Sequence, residues 1–148
     1  MSDVVEFRLR DKVVLKHIFD CGQCFRFVCE EDGSYSGVFR RSFINVSLQE
    51  QGIIMKVKRI LGESIDEEEL YRFFDLESSY ERIKEKFKAK DEVMKKAILK
   101  GEGIRILRQD FFETLITFII SQNNNISRIR KNIESICVAY GSEVEAGS

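Results

Sequence analysis

A chain of 148 residues, 43% hydrophobic and 33% charged, can bury one sizeable core or two small ones, and its formal net charge of -1 gives no global attraction to a polyanion. No stretch approaches about 18 uncharged apolar residues, which excludes a transmembrane helix. The acidic start Met1-Ser-Asp-Val-Val-Glu6 has no signal-peptide core, so an intracellular protein is expected.

The chain has no proline, so helix ends must be read from glycines and capping residues. The alternation in Val5-Glu-Phe-Arg-Leu9 predicts a strand, and residues 11–19 predict a short helix with Val14, Leu15, Ile18 and Phe19 on one side. Strands are predicted over residues 25–29 and 35–39 around the hairpin signal Asp32-Gly33, and over 44–48 and 53–57 around the turn Gln49-Glu-Gln-Gly52. After Gly62 the spacing becomes helical. Asp66 opens a helix carrying Leu70, Phe73 and Phe74. Ser78-Ser-Tyr-Glu81 fits a capping box ahead of Ile83 and Phe87. Residues 91–100 predict a short helix stopped at Gly101, followed by the connecting segment Gly103-Ile-Arg-Ile-Leu-Arg108. Asp110-Phe-Phe-Glu113 caps a helix running to Ser121, apolar nearly all round and therefore expected at the centre of the molecule. The last helix is predicted over residues 125–140, with Ile126, Ile129, Ile133, Ile136 and Tyr140 as its stripe and Gly141 as its stop. The expected class is α+β: an antiparallel sheet domain over 1–62 with a short helix near 11–19, a helical region over 63–141, and a tail over 142–148 with no structural signal.

Chemistry-bearing groups are few. Cys21-Gly-Gln-Cys24 has metal or redox spacing, and Cys29 and His17 complete four ligands on paper, but there is no second Cys-x-x-Cys; small, reduced, half-buried side chains are the favoured reading, with no metal. No nucleophile elbow accompanies the single histidine, and no phosphate-cradling loop is present. Basic residues gather at Arg105, Arg108, Arg128, Arg130 and Lys131, a local patch suited to phosphate. The lysines between 84 and 100 alternate with acids and read as a solvated helix face.

Two places remain open to function. Gly22-Gln-Cys-Phe-Arg26 reads either as a helix-ending glycine before a strand or as a backbone carbonyl brought close to a ligand. Ser121-Gln-Asn-Asn-Asn-Ile-Ser-Arg128 reads either as a capped helix junction or as a cluster of amides for polar base edges or phosphates.

Together with Gly103-Ile-Arg-Ile-Leu-Arg-Gln-Asp110, these two segments resemble, in order and spacing, the 8-oxoguanine DNA glycosylases of the helix-hairpin-helix superfamily. The resemblance runs from about Val4 to Gly141. It implies a twisted antiparallel sheet domain followed by the first helices of a helical glycosylase domain, and no cofactor. It implies as substrate double-stranded DNA with 8-oxoguanine opposite cytosine, the damaged base flipped into a pocket, and no membrane. Gly22 would accept a hydrogen bond from the lesion's N7–H. Asn123 would fill the gap left by the flipped base, Arg128 would contact the orphaned cytosine, and Asn124 and Asn125 would hold the turn.

The family's catalytic lysine, which attacks the sugar and forms a Schiff base, matches no lysine here. The resemblance therefore implies a recognition part of a glycosylase and lyase, inactive alone. The alternative is a non-catalytic nucleic-acid or protein interaction module. A nucleoid or nuclear location would follow, according to the cell type. Leu115, Phe118, Ile119, Ile129 and Ile133 are expected to be partly exposed, giving a dimer or a strong apolar patch.

Overall fold

A computed structural model describes residues 3–88 and 90–144; the predicted tail therefore falls outside the described residues from 145 on, as do the first two residues of the acidic start. Five strands, β1 (Val4–Arg8), β2 (Phe27–Cys29), β3 (Tyr35–Phe39), β4 (Ser42–Gln49) and β5 (Ile54–Gly62), form one antiparallel sheet in the order β1-β5-β4-β3-β2. Helix α1 (Leu15–Phe19) lies between β1 and β2, and α2 (Glu67–Phe73), α3 (Tyr80–Lys88), α4 (Glu92–Lys100), α5 (Phe111–Ser121) and α6 (Ile126–Tyr140) follow the sheet. The α+β class is as expected.

One face of the sheet is buried because its strands alternate. Val5 and Phe7 on β1, Ile44 and Val46 on β4, and Met55 and Val57 on β5 all point inward, with Val57 paired to Val5 on one side and Val46 on the other. Ile18 and Phe19 of α1, Leu70 and Phe73 of α2 and its C-cap Phe74 close this face, so the sheet and α2 share one core. Aromatic rings join the layers: Phe19 stacks on Phe27 at 4.4 Å and on Tyr35 at 5.1 Å, and Phe73 meets Phe39 at 5.0 Å. Gly37 is needed beneath this stack, since a Cβ there would lie 2.6 Å from Cγ of Phe27. Each large apolar side chain fully withdrawn from water contributes about 2 kcal/mol.

Four departures from the predicted elements have identifiable causes. Helix α1 starts at Leu15, not near 11, because the preceding backbone is engaged elsewhere: the N–H of Val13 donates to Gly52 O at 3.0 Å and that of Val14 to Gly103 O at 3.0 Å. Strand β5 runs on to Gly62 because β4 pairs with it to that end, Ser42 opposite Gly62, beyond Lys58 where the pairing with β1 stops. The capping box at Ser78 does not form. The Ser78 hydroxyl donates to Asp75 at 3.1 Å, and the start of α3 is capped by Asp11, whose Oδ2 accepts the N–H of Tyr80 at 2.6 Å.

The fourth departure is α5, which is not central among the described residues. None of its residues is buried, and Phe111 and Phe118 are 79% and 63% exposed. Its inner side, with Ile116 and Ile120 half-buried, packs on α6. Leu115, Phe118 and Ile119 are exposed as expected, whereas Ile129 and Ile133 of α6 are buried. No helix among the described residues is long and apolar enough to cross a membrane.

Candidate nucleic-acid interface

The loop between α1 and β2 carries Gly22 at φ +85°, a left-handed conformation that glycine adopts without steric cost. Space is not the constraint there: a Cβ on Gly22 would meet only Cδ1 of Ile126, at 3.8 Å. The next residue anchors the loop. Nε2 of Gln23 donates to Ile18 O at 3.0 Å and Arg105 O at 2.7 Å, while its Oε1 accepts the N–H of Leu107 at 3.0 Å. The carbonyl of Gln23 in turn accepts from the Gln109 amide. Three residues on, Arg26 reaches Glu113 of α5 at 3.5 Å.

The irregular segment 104–109 is anchored by its arginines. Arg105 is 1% exposed. Its Nη1 donates to Asp75 O at 2.7 Å, its Nη2 lies 3.8 Å from Oδ2 of Asp11, and its guanidinium sits 4.8 Å from the Tyr80 ring centre. Burial pulls its pKa down, and Asp11 opposes that shift. Its Nε has no hydrogen-bond partner among the described residues. Arg108 pairs with Asp75 at 2.7 Å. Burial raises the Asp75 carboxyl pKa, but hydrogen bonds from Tyr80, Ser78 and Arg108 outweigh it and hold the pKa below the ordinary range.

The expected phosphate patch is therefore not there as a patch. Arg105 is spent inside the fold, Arg108 is exposed but paired with Asp75, and Arg130 of α6 donates to Phe27 O at 2.9 Å and lies 3.5 Å from Asp20. Arg128 and Lys131 are exposed, and neither side chain has an ion pair among the described residues.

The three asparagines between α5 and α6 separate into different jobs. Gln122 at φ -60°, ψ 121° followed by Asn123 at φ +49°, with the N–H of Asn124 donating to Ser121 O at 3.2 Å, makes a type II turn, where asparagine tolerates the positive φ. Asn124 donates from Nδ2 to Ile120 O at 3.0 Å, satisfying a carbonyl at the end of α5. Asn125 is the N-cap of α6, its Oδ1 accepting from the Arg128 N–H at 3.1 Å. The side chain of Asn123 is exposed and makes no hydrogen bond among the described residues. Ile126, the first residue of α6, brings its Cδ1 near the space that a Cβ on Gly22 would occupy, so the two sequence-predicted segments are neighbours.

Other sequence candidates are dispersed. Nδ1 of His17 lies 2.6 Å from Glu102 O, and no group of three or more metal-ligating side chains gathers among the described residues. The cysteines are not uniformly half-buried: Cys21 and Cys29 are exposed, while Cys24 is buried and its thiol pKa is pushed up to about 11 by that burial. A cleft of about 280 Å³ lies between Phe39, Phe73, Arg108 and Glu113, but none of Gly22, Asn123 or Arg128 lines it. Sequence reasoning missed Gln23 and Gln109; their only signal was their place inside two of the matched segments.

A family model described as the N-terminal domain of 8-oxoguanine DNA glycosylase matches residues 6–115. The chain belongs to that glycosylase family. Its relatives include the N-glycosylase/DNA lyase of Saccharomyces cerevisiae, 29% identical over 145 residues that cover 90% of this chain and 38% of that protein. Among solved structures, the apo form of the Clostridium acetobutylicum 8-oxoguanine glycosylase/lyase is 40% identical, with a TM-score of 0.84 over 98% of this chain and 50% of that one. The same enzyme in complex with double-stranded DNA containing cytosine opposite 8-oxoguanine is 38% identical, with a TM-score of 0.86 over 100% of this chain and 50% of that one. This member of the family thus spans about half the length of its solved relatives and 38% of the curated one.

Proposed function

We propose that these residues form the lesion-recognition part of an 8-oxoguanine DNA glycosylase and lyase acting in base-excision repair, on double-stranded DNA with 8-oxoguanine opposite cytosine. The supporting observation is the nearness of the Ile126 side chain to the site of a Cβ on Gly22, which brings the left-handed Gly22 loop and the α5–α6 junction, with its exposed Asn123 and Arg128, into one neighbourhood. Flipping takes the damaged base out of the stack and leaves its partner unpaired. Guanine presents an acceptor at N7, whereas 8-oxoguanine carries N7–H, so a carbonyl at Gly22 attracts the lesion and faces a lone pair on the normal base. One such bond supplies roughly 1 kcal/mol, so other steps share the selectivity. Asn123 enters the vacated space and Arg128 meets the orphaned cytosine. Asn124 and Asn125 hold the turn. No step of sugar attack is assigned to a residue of this chain, and the place of work is wherever the DNA is, nucleoid or nucleus.

The experiment compares excision and binding in the full-length protein. Gly22→Ala strains the backbone by about 1 kcal/mol without a steric clash. It is expected to lose 8-oxoguanine excision far more than general DNA binding. Equal losses would mean that Gly22 only shapes the loop. A second reading, an interaction module without catalysis, draws on the exposed rings of α5. It gains ground if Asn123→Ala and Arg128→Ala bind a duplex carrying an abasic site opposite cytosine as tightly as the wild type.

A further inference from the structure

Arg130 stands one helical turn beyond Ile126, on the same face of α6. Its guanidinium spans the Gly22 loop. Nη1 donates to Phe27 O at 2.9 Å, and Nη2 lies 3.5 Å from Oδ1 of Asp20. Asp20 precedes Gly22 by two residues and Phe27 follows it by five, so one side chain grips both ends of the loop while the Ile126 side chain lies near its middle. Neither anchor is loose. The other carboxylate oxygen of Asp20 accepts the Tyr35 hydroxyl at 2.8 Å from β3, and Phe27 belongs to the outer strand of the sheet and stacks on Phe19. A planar fork with two separate acceptors fixes direction as well as distance, which the point charge of a lysine does not do.

We propose that Arg130 is a positioning residue that locks the Gly22 loop to α6, so that the carbonyl of Gly22 and the Asn123–Arg128 turn engage DNA as one rigid unit. This rests on the reading of Gly22 and Arg128 given above. The guanidinium that resembles a phosphate contact in the sequence is instead directed inward, at the loop.

The test measures binding of the full-length protein to 8-oxoguanine·cytosine and guanine·cytosine duplexes by fluorescence anisotropy, for wild type, Arg130→Met, Arg130→Lys and Asp20→Asn. Arg130→Met is expected to cut the preference for the lesion duplex about tenfold, the scale of one lost charge-assisted hydrogen bond, and to leave binding to the undamaged duplex unchanged. Arg130→Lys should fall between wild type and Arg130→Met. Asp20→Asn, which removes the charge facing Arg130, should move in the same direction and serves if Arg130→Met folds poorly. A double-mutant cycle of Gly22→Ala with Arg128→Ala should show coupling in the wild type and additivity in the Arg130→Met background. Equal weakening on both duplexes would make Arg130 a phosphate contact and overturn the proposal. So would an unchanged preference, or coupling that survives Arg130→Met. A wild type with no preference for the lesion duplex overturns the functional reading itself, before any Arg130 variant is measured.

Discussion

Asp75 is the residue on which the interior of this chain turns. It is buried, sits at φ +50°, and accepts hydrogen bonds from Ser78, Tyr80 and Arg108. Its folded pKa is lowered, so between the folded value and the ordinary 3.8 the unfolded chain binds more protons than the folded one. The stabilisation from Asp75 is therefore fully present above 3.8 and is lost as pH falls through the folded pKa. Urea midpoints measured from neutral pH downwards should drop in that acid window for the wild type. For Asp75→Asn, stability should be lower at neutral pH and its decline below 3.8 shallower. An identical acid slope in both proteins would show that the carboxylate carries none of the acid sensitivity.

At the scale of elements, the turn between α5 and α6 lets folding and reading be separated. Asn125→Ala removes the N-cap of α6 and should cost about 1 kcal/mol in stability, read as a lower melting temperature. Asn123→Gly keeps the positive φ that the type II turn needs, so stability should hold while the preference for lesion or abasic duplex falls. A stability loss at Asn123→Gly matching that at Asn125→Ala would make both asparagines structural. Legibility from sequence follows the same division between near and far. The caps Asp66, Asp91, Asp110 and Asn125 were readable because cap and capped N–H lie within three residues. The cap of α3 was not, because Asp11 is 69 positions from Tyr80. Gly22 and the asparagines stood out as local oddities of composition. Gln23 and Arg130 did not, because their partners lie 82 and 103 positions away. The all-round apolar surface of α5 signals burial without saying what covers it, so its place among the described residues was legible only as far as the exposure of Leu115, Phe118 and Ile119.

Over the whole molecule, the core ignores the change from strands to helices near Gly62. Leu70 and Phe73 of α2 and its C-cap Phe74 lie inside the cluster formed by the sheet, and Leu107 joins it from beyond α4. A fragment ending at residue 62 should therefore show no cooperative thermal transition, and a sharp one would establish the sheet as an independent domain. The strap at 104–109 has a wider consequence, because Arg105 and Asp11 are a buried charge pair, 1% and 5% exposed. Removing either charge leaves the other buried without its counter-charge, at about 3–5 kcal/mol, while replacing both with apolar side chains of similar volume is milder and costs mainly the cap on Tyr80 and the bond to Asp75 O. Inheritance at these two positions should then be joint: lineages that keep Arg105 keep Asp11, and those that abandon one abandon both. A reversal restoring only one partner is predicted to be worse than the double replacement, so this corner of the fold evolves by paired steps, and its history can be followed by counting sequences that carry one charge without the other.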